Sequence, residues 1–425
     1  MSASVQHHTL SKGRELTTLL VLCAVQFTHI LDFMIMMPLG AQLMRVFAIS
    51  PAEFTRLVAA YGLAAAVSGF TGGFFMDRFD RKRALLVLYA GFGLATLACG
   101  LAPTHHTLLA ARLAAGAFGG LAGSLVTAMV GDIIPPARRG RAMSYVMTAF
   151  PLASVLGVPA GLVLAGRYGW HAPFFLLAAC ATANVLLATF ALPHLRTAVT
   201  DHQPLRQMRE ILAHGVHRRA FALGTVLVMS GGVIIPFLAP SFVANVGLDE
   251  TLQLPFAYAV GGIATAFSTP LIGWLSDRMD RLRLLVIMSG GAVVVVLFIT
   301  RLGPSSVFTA SLMMALFMVT MSGRFAPAMT MITNAVDARY RGGFMSVNAA
   351  LQQAASGCSS MLAGLFVTRT AAGQLAGLPL LGYVSAGFFG LAVLLAFALR
   401  AAAPHVAKAT PHGALPPPPP TEAAA

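Results

Sequence analysis

Residues 73–83 read GFFMDRFDRKR, and residues 273–283 read GWLSDRMDRLR. Displaced by 200 positions, the two stretches share the leading glycine, two Asp-Arg pairs and the final arginine. A second match has an offset of 202: Arg139-Gly140 with Met143-Ser144 recurs as Arg341-Gly342 with Met345-Ser346. Two matches at nearly one offset indicate two parallel copies of one unit.

Outward from these charged islands the chain is apolar. Of 425 residues, 57% are hydrophobic and only 10% charged, where a soluble domain carries about 25% charged residues. That excludes a soluble enzyme, a disordered chain and a coiled coil. A spanning helix needs about 20 apolar residues, and spans are expected near 16–40, 51–76, 84–103, 106–134, 141–166, 171–193, 219–246, 252–276, 283–303, 305–335, 342–368 and 377–400. Strand-like alternation with regular turns is absent, which argues against an outer-membrane barrel. The expected fold is an all-α integral membrane protein: twelve transmembrane helices as two six-helix pseudo-symmetric bundles.

The units follow from polarity. Residues 1–15 form a polar segment with no cleavable signal, so the first apolar run reads as a retained span. The first bundle is 16–193, the central loop 194–218 and the second bundle 219–400, followed by an Ala/Pro-rich tail, 401–425, that need not fold. The net charge of +14 would suggest nucleic acid in a soluble protein. Here the arginines sit in short loops, and the positive-inside rule accounts for them. Placing the N-terminus inside makes cytoplasmic the loops with Arg78, Arg81, Lys82 and Arg83; with Arg138, Arg139 and Arg141; with Arg278, Arg281 and Arg283; and with Arg339 and Arg341. The opposite loops hold Arg45, Arg167, Arg301 and Arg369. Both termini are therefore expected in the cytoplasm, with the chain crossing the plasma (inner) membrane. The four cysteines lie inside apolar runs without metal-ligand spacing and read as small buried hydrophobes.

The loop pattern G-x-x-x-D-R-x-(G/D)-R-(R/K), echoed in the second half, resembles the signature of the major facilitator superfamily. Arg112-Leu113-Ala114-Ala115-Gly116 is similar to that family's R-x-x-x-G motif. Leu156-Gly157-Val158-Pro159-Ala160-Gly161 is similar to a degenerate antiporter motif, and Tyr168-Gly169-Trp170-His171-Ala172-Pro173-Phe174 to the start of span six in the arabinose-efflux-permease-like, drug–proton antiporter branch. The family prefers glycine where Asp80 and Asp280 stand. The resemblance implies that Gly73, Asp77, Arg81 and Asp132, with Asp277 and Arg281 in the second copy, latch the two halves on the cytoplasmic side in the outward-facing state. Asn334 stands at the position matching Asp132, so the second latch is expected to be weaker or to use Asp337. The competing reading is a positive-inside loop with incidental acids.

Charges inside spans cost about 2.5–3.5 kcal/mol each on insertion scales, which makes them functional candidates. Gln26, His29 and Asp32 lie three apart on one helical stripe and are expected to line a cavity. Asp32 is the candidate proton carrier, since a buried carboxylate turns neutral unless a cation stands beside it. A carboxylate permanently paired with an arginine is the structural alternative. Arg112 is either its partner or the binder of an anionic substrate group, and His29, with an ordinary pKa of about 6.5, is a candidate relay. Arg324, Asn348 and Gln352 are candidates for the substrate cavity; the alternative for Arg324 is packing against helix carbonyls, and for Asn348 and Gln352 bridging between helices. Gly116, Gly119, Gly120 and Gly123 form a face for close helix packing.

No nucleotide-binding loop, metal cluster or hydrolytic carboxylate pair occurs. The expectation is a monomeric secondary transporter, not an enzyme. It needs no cofactor or metal, and its partners are a small-molecule substrate, protons and the lipid bilayer, with no nucleic acid. Proton-coupled efflux of a drug or sugar leads; a proton-linked importer or uniporter, and a non-transporting sensor or scaffold, are the alternatives.

Overall fold

The computed structural model describes residues 12–72, 76, 79–193, 204–337 and 340–407. The first six spans are Lys12–Ile35 with its continuation Gly40–Val46; Pro51–Gly72; Arg81–Gly100; His105–Ile133; a segmented helix from Pro136 to Tyr168; and Ala172–Ala191. The second six are Gly215–Gly232 with its continuation Ile235–Ser241; Gln253–Arg278; Arg281–Ile299; Val307–Gly323 with Phe325–Asn334; Arg341–Phe366; and Leu378–Ala402. Eleven of these are long and apolar enough to cross a membrane. The remaining helix, Arg341–Phe366, is diluted by Asn348, Gln352, Gln353 and several glycines and serines, and it packs against Pro51–Gly72. Within a bilayer core every backbone N–H and C=O must be satisfied inside its own segment, which makes helices the outcome for such runs.

Prolines and caps set the interruptions. Pro38 and Pro236 lie in and just after the turns that break spans one and seven. Pro327 has no N–H to offer the carbonyl of Gly323, and span ten breaks there, at Arg324. Pro159 follows a π-helical turn, Ala153–Gly157, in span five. Asp80 and Asp280 each accept a hydrogen bond from the backbone N–H three residues on, at 2.9 and 3.0 Å, and so cap spans three and nine. That explains aspartate at the two positions where the family motif prefers glycine: here the turn ends in a helix cap.

The two halves share one apolar core at one end of the bundle only. That core joins Leu31, Ile35 and Phe54 of the first half to Phe237, Phe242 and Leu254 of the second. At the other end, where the described residues begin at Lys12 and finish at Ala407 and where Arg81 and Arg281 start their spans, each half has its own core. One is built from residues such as Leu22, Phe92 and Met129, the other from Leu227, Met331 and Phe344. The halves are thus closed together at the opposite end and have separate cores at the basic end. A two-residue β-hairpin, Thr368–Arg369 with Leu375–Ala376, finishes the closed end. The Asn245 side chain grips it, accepting from Leu375 N at 2.8 Å and donating to Leu375 O at 2.9 Å.

Two of the expected connecting segments carry structure. Within 194–218 a helix runs Pro204–Ala213 and span seven begins at Gly215, while 194–203 lies outside the described residues. The tail begins with a helical turn, Pro404–Ala407, whose Val406 and Ala407 are buried in the second half's core, so the expectation of an unfolded tail from 401 is corrected over 401–407. The run of prolines lies outside the described residues.

Candidate functional site

The stripe read from span one turns inward, into the first half. Asp32 and Arg112 form an ion pair of 2.8 Å with both side chains 0% exposed. Arg112 Nη1 donates to Asp32 Oδ2, and at 3.4 Å also to the Asp32 carbonyl. Thr96 of span three donates to Asp32 Oδ1 at 3.4 Å. The guanidinium lies 4.5 Å from the ring centre of Tyr61, whose hydroxyl is hydrogen-bonded to His29 Nδ1 at 2.7 Å. Gly116 brings span four onto the backbone of Tyr61, where a Cβ would overlap the Tyr61 carbonyl, and a Cβ on Gly119 would stand 2.9 Å from His29 Nδ1. The glycine face therefore makes room for the Tyr61–His29 pair. Gln26 lies one turn further along, near Gly123, its Oε1 buried without a hydrogen-bond partner among the described residues.

Chemically this is a neutral cluster that holds together only as a pair. Each buried ion loses several kcal/mol of solvation, and removing one partner strands the other. A movement that separates Asp32 from Arg112 must supply water, another partner or a proton.

The second half places Arg324 at the break in span ten. It is 3% exposed, and its Nη1 donates to Leu227 O at 2.9 Å and to the Ser230 hydroxyl. The Phe389 ring centre lies 4.6 Å from the guanidinium. Ser385 of span twelve donates to the Ser230 carbonyl at 2.5 Å. Asn348 is buried with its Oδ1 against Gly224 and without a hydrogen-bond partner among the described residues, while Gln352 Nε2 donates to Met329 Sδ at 3.5 Å and so bridges spans eleven and ten.

Of the motif residues, Arg81 donates from Nε to Asp132 Oδ2 at 3.2 Å, tying span three to span four. Gly73 and Asp77 lie outside the described residues. Arg281 is buried and Asp277 exposed. Asn334 offers its carbonyl to His405 at 3.1 Å, which anchors the start of the tail.

At the closed end an ion pair that the sequence reading missed joins the halves. Arg45 binds Glu250 through two bonds of 2.8 Å, with side-chain exposures of 57% and 15%. Next to it, Asp249 accepts from the Thr251 hydroxyl and from the N–H groups of Thr251 and Leu252, which holds its carboxyl below the usual range. Exposed pairs contribute about 0.2–1 kcal/mol. Glu250→Gln should therefore shift the population towards opening at this end by no more than about fivefold at low salt, and by less at high salt. Spin-label distances between cysteines placed at Val46 and Leu252 would show it; an unchanged distribution at low salt counts against the clamp.

Comparison with known proteins accords with this architecture. The profile of the Major Facilitator Superfamily matches residues 22–360. The gallate transporter of Pseudomonas putida is 25% identical over 60% of this chain and 64% of its own length. Multidrug resistance protein 2 of Bacillus subtilis is 27% identical over 45% of this chain and 48% of its own. A chloramphenicol efflux pump of Mycobacterium tuberculosis is 24% identical over 64% of this chain and 66% of its own. In each, the match spans less than two thirds of the relative. Among solved structures, a bacterial homologue of the human lysosomal transporter Spinster superposes with TM-score 0.77 at 16% identity, covering 94% of this chain and 99% of that one. A D-xylose–proton symporter gives 0.71 at 17% identity, covering 92% and 97%. With the repeated loop motif, the two helical halves and this match over most of its length, the chain belongs to the major facilitator superfamily.

Proposed function

We propose that the protein is a proton-coupled exporter of a small molecule, working by alternating access as a monomer in the inner membrane with both termini in the cytoplasm. The observation that carries this reading is the fully buried Asp32–Arg112 pair. With the basic end cytoplasmic, the described conformation is open inward, and in it the carboxylate is held ionised by the guanidinium. Rocking of the halves that draws span four from span one leaves Asp32 without its cation, and the carboxylate then takes a proton. His29 and Tyr61, bonded to each other beside the pair, connect it towards Gln26 and the basic end. Arg81, Asp132 and the second motif copy act as the latch that closes the cytoplasmic side in the other conformation. One proton crossing 100 mV is worth about 2.3 kcal/mol, enough for roughly 50-fold accumulation. Export is favoured over import by the relative named as a chloramphenicol efflux pump.

The test is reconstitution into vesicles with an imposed pH gradient, using chloramphenicol and a set of charged and neutral drugs as probes. Substrate movement should be accompanied by proton flux and should collapse with a protonophore; uphill movement indifferent to the gradient overturns the coupling. In intact cells, a cysteine placed at Ala402 should resist an impermeant thiol reagent added outside, and labelling there would overturn the orientation.

A further inference from the structure

The two halves treat their buried arginines differently. Aligning Pro38 with Pro236 sets Ser230 opposite Asp32. In the first half, span four sends Arg112 to Asp32; in the second, span ten sends Arg324 to Ser230. Each uses Nη1 for one side-chain oxygen and one backbone carbonyl of the facing helix. The arginines are not repeat-equivalent, since the offset of 202 places Met314 opposite Arg112. They nonetheless converge on equivalent partners. One half thereby holds a neutral ion pair. The other holds a positive charge with no carboxylate at ion-pair distance among the described residues.

The remaining contacts of Arg324 leave part of its donor set unmatched, as those of Arg112 do at Nε and Nη2 among the described residues; what sets Arg324 apart is that no carboxylate among them neutralises it. Its Nε has no hydrogen-bond partner among the described residues, and Nη2 meets only the thioether of Met321 at 3.1 Å, a weak acceptor. Nε and Nη2 form the side edge of the guanidinium, which grips a carboxylate with two parallel bonds. Met321 is a flexible, half-buried side chain and can swing aside. Arg324 also sits where two spans are interrupted: span seven between Gly232 and Ile235, and span ten between Gly323 and Phe325. The ten-residue helix Phe325–Asn334 starts at this point, so its N-terminal N–H groups add to the positive field. Interrupted helices at mid-membrane are where transporters place polar binding groups.

We infer that Arg324 is the counter-charge for an anionic group of the cargo, and that the transported class is small organic carboxylates. This rests on the reading of the chain as a transporter and adds the charge of its substrate. Serine at position 230 keeps the arginine oriented without neutralising it. Aspartate there would close the site with an internal ion pair, as Asp32 does in the other half.

The test uses the purified full-length protein and matched probes: benzoate with benzamide, phenylacetate with phenylacetamide, hexanoate with hexanamide. Binding is read by calorimetry and by thermal shift. At least one acid should bind the wild type about tenfold or more tightly than its amide, the scale of charge-assisted hydrogen bonds. Arg324→Gln should erase that difference, and Arg324→Lys should keep it but weaken the acid, because an ammonium lacks the planar fork. Should Arg324→Gln fail to fold, Ser230→Asp carries the test. It leaves the arginine in place with an internal partner and should abolish acid binding without loss of thermal stability. The inference falls if no acid binds, if acids and amides bind alike, or if Ser230→Asp retains the preference. Proton-linked flux of neutral or cationic drugs with acids ignored would leave the transport reading standing and this inference overturned. Acid preference without proton-linked flux would do the reverse.

Discussion

Asp32→Asn should reduce accumulation driven by a pH gradient to the level of passive equilibration, while substrate binding and downhill exchange persist. Asparagine keeps the shape, its Oδ1 can accept from Arg112 and its amide N–H can donate to the Thr96 hydroxyl, but it cannot take up and release the proton. The substitution also strands Arg112, which is 0% exposed, and removing one partner of a buried pair costs about 3–5 kcal/mol. The single variant should therefore lose thermal stability as well as coupling. The double variant Asp32→Asn/Arg112→Gln removes both charges, so it should recover much of the stability and none of the coupling. That contrast separates a proton carrier from a structural ion pair, which would show transport recovering along with stability. Asp32→Glu should retain partial coupling, since the carboxylate is kept and only displaced. The decisive measurement is vesicle accumulation against the gradient for all three at matched insertion. Undiminished accumulation with unchanged pH dependence in folded Asp32→Asn would remove Asp32 from the mechanism.

The residues legible in the sequence are those whose chemistry clashes with their surroundings. Asp32, Arg112 and Arg324 stand out because an ionised group in an apolar run is costly and so needs a reason. The repeat was legible because its loop carries a dense, ordered set of charges between glycine and arginine. The direction of the stripe was not. Gln26, His29 and Asp32 were expected to face an open cavity, yet His29 and Asp32 turn to spans two, three and four. Spacing of three fixes a shared face but not what that face meets. Tyr61 gave no signal, because a tyrosine among apolar residues looks like any core aromatic until Arg112 is found against its ring. Arg45 and Glu250 were invisible for another reason. They lie 205 positions apart, Arg45 in the last turn of the short helix Gly40–Val46 and Glu250 in a loop, and only closure of the two halves brings them together. Asn348 and Gln352 sit on the expected face of span eleven, but that face packs on spans seven and ten.

Gly357→Leu should drive the protein out of the described conformation. Span eleven meets span two there, across the boundary between the halves. A Cβ on Gly357 would stand 2.7 Å from Leu63 Cγ and 3.1 Å from the Ala59 carbonyl, and the reciprocal Cβ on Gly62 would stand 3.0 Å from the Gln353 carbonyl and 3.2 Å from Gly357 N. Gly62 faces only backbone, and behind the Leu63 side chain Gly357 faces the Ala59 carbonyl, so even if Leu63 turns away an inserted leucine meets span two's backbone and the helices must separate. Overpacking of this kind costs about 1–3 kcal/mol. Because the contact joins two bodies that rock against each other, the cost falls on the conformation that needs it. Free energies of that size change a two-state ratio by about 5- to 150-fold. Spin-label distances should lengthen between Val46 and Leu252 at the closed end and shorten between Arg83 and Arg283 at the basic end. Gly290→Leu is the control, since a Cβ at Gly290 meets nothing within 4 Å, and it should leave both distances alone. Lengthening at both ends would mean that the halves have lost their packing without exchanging one closure for the other, and the two-state reading of this interface would fail.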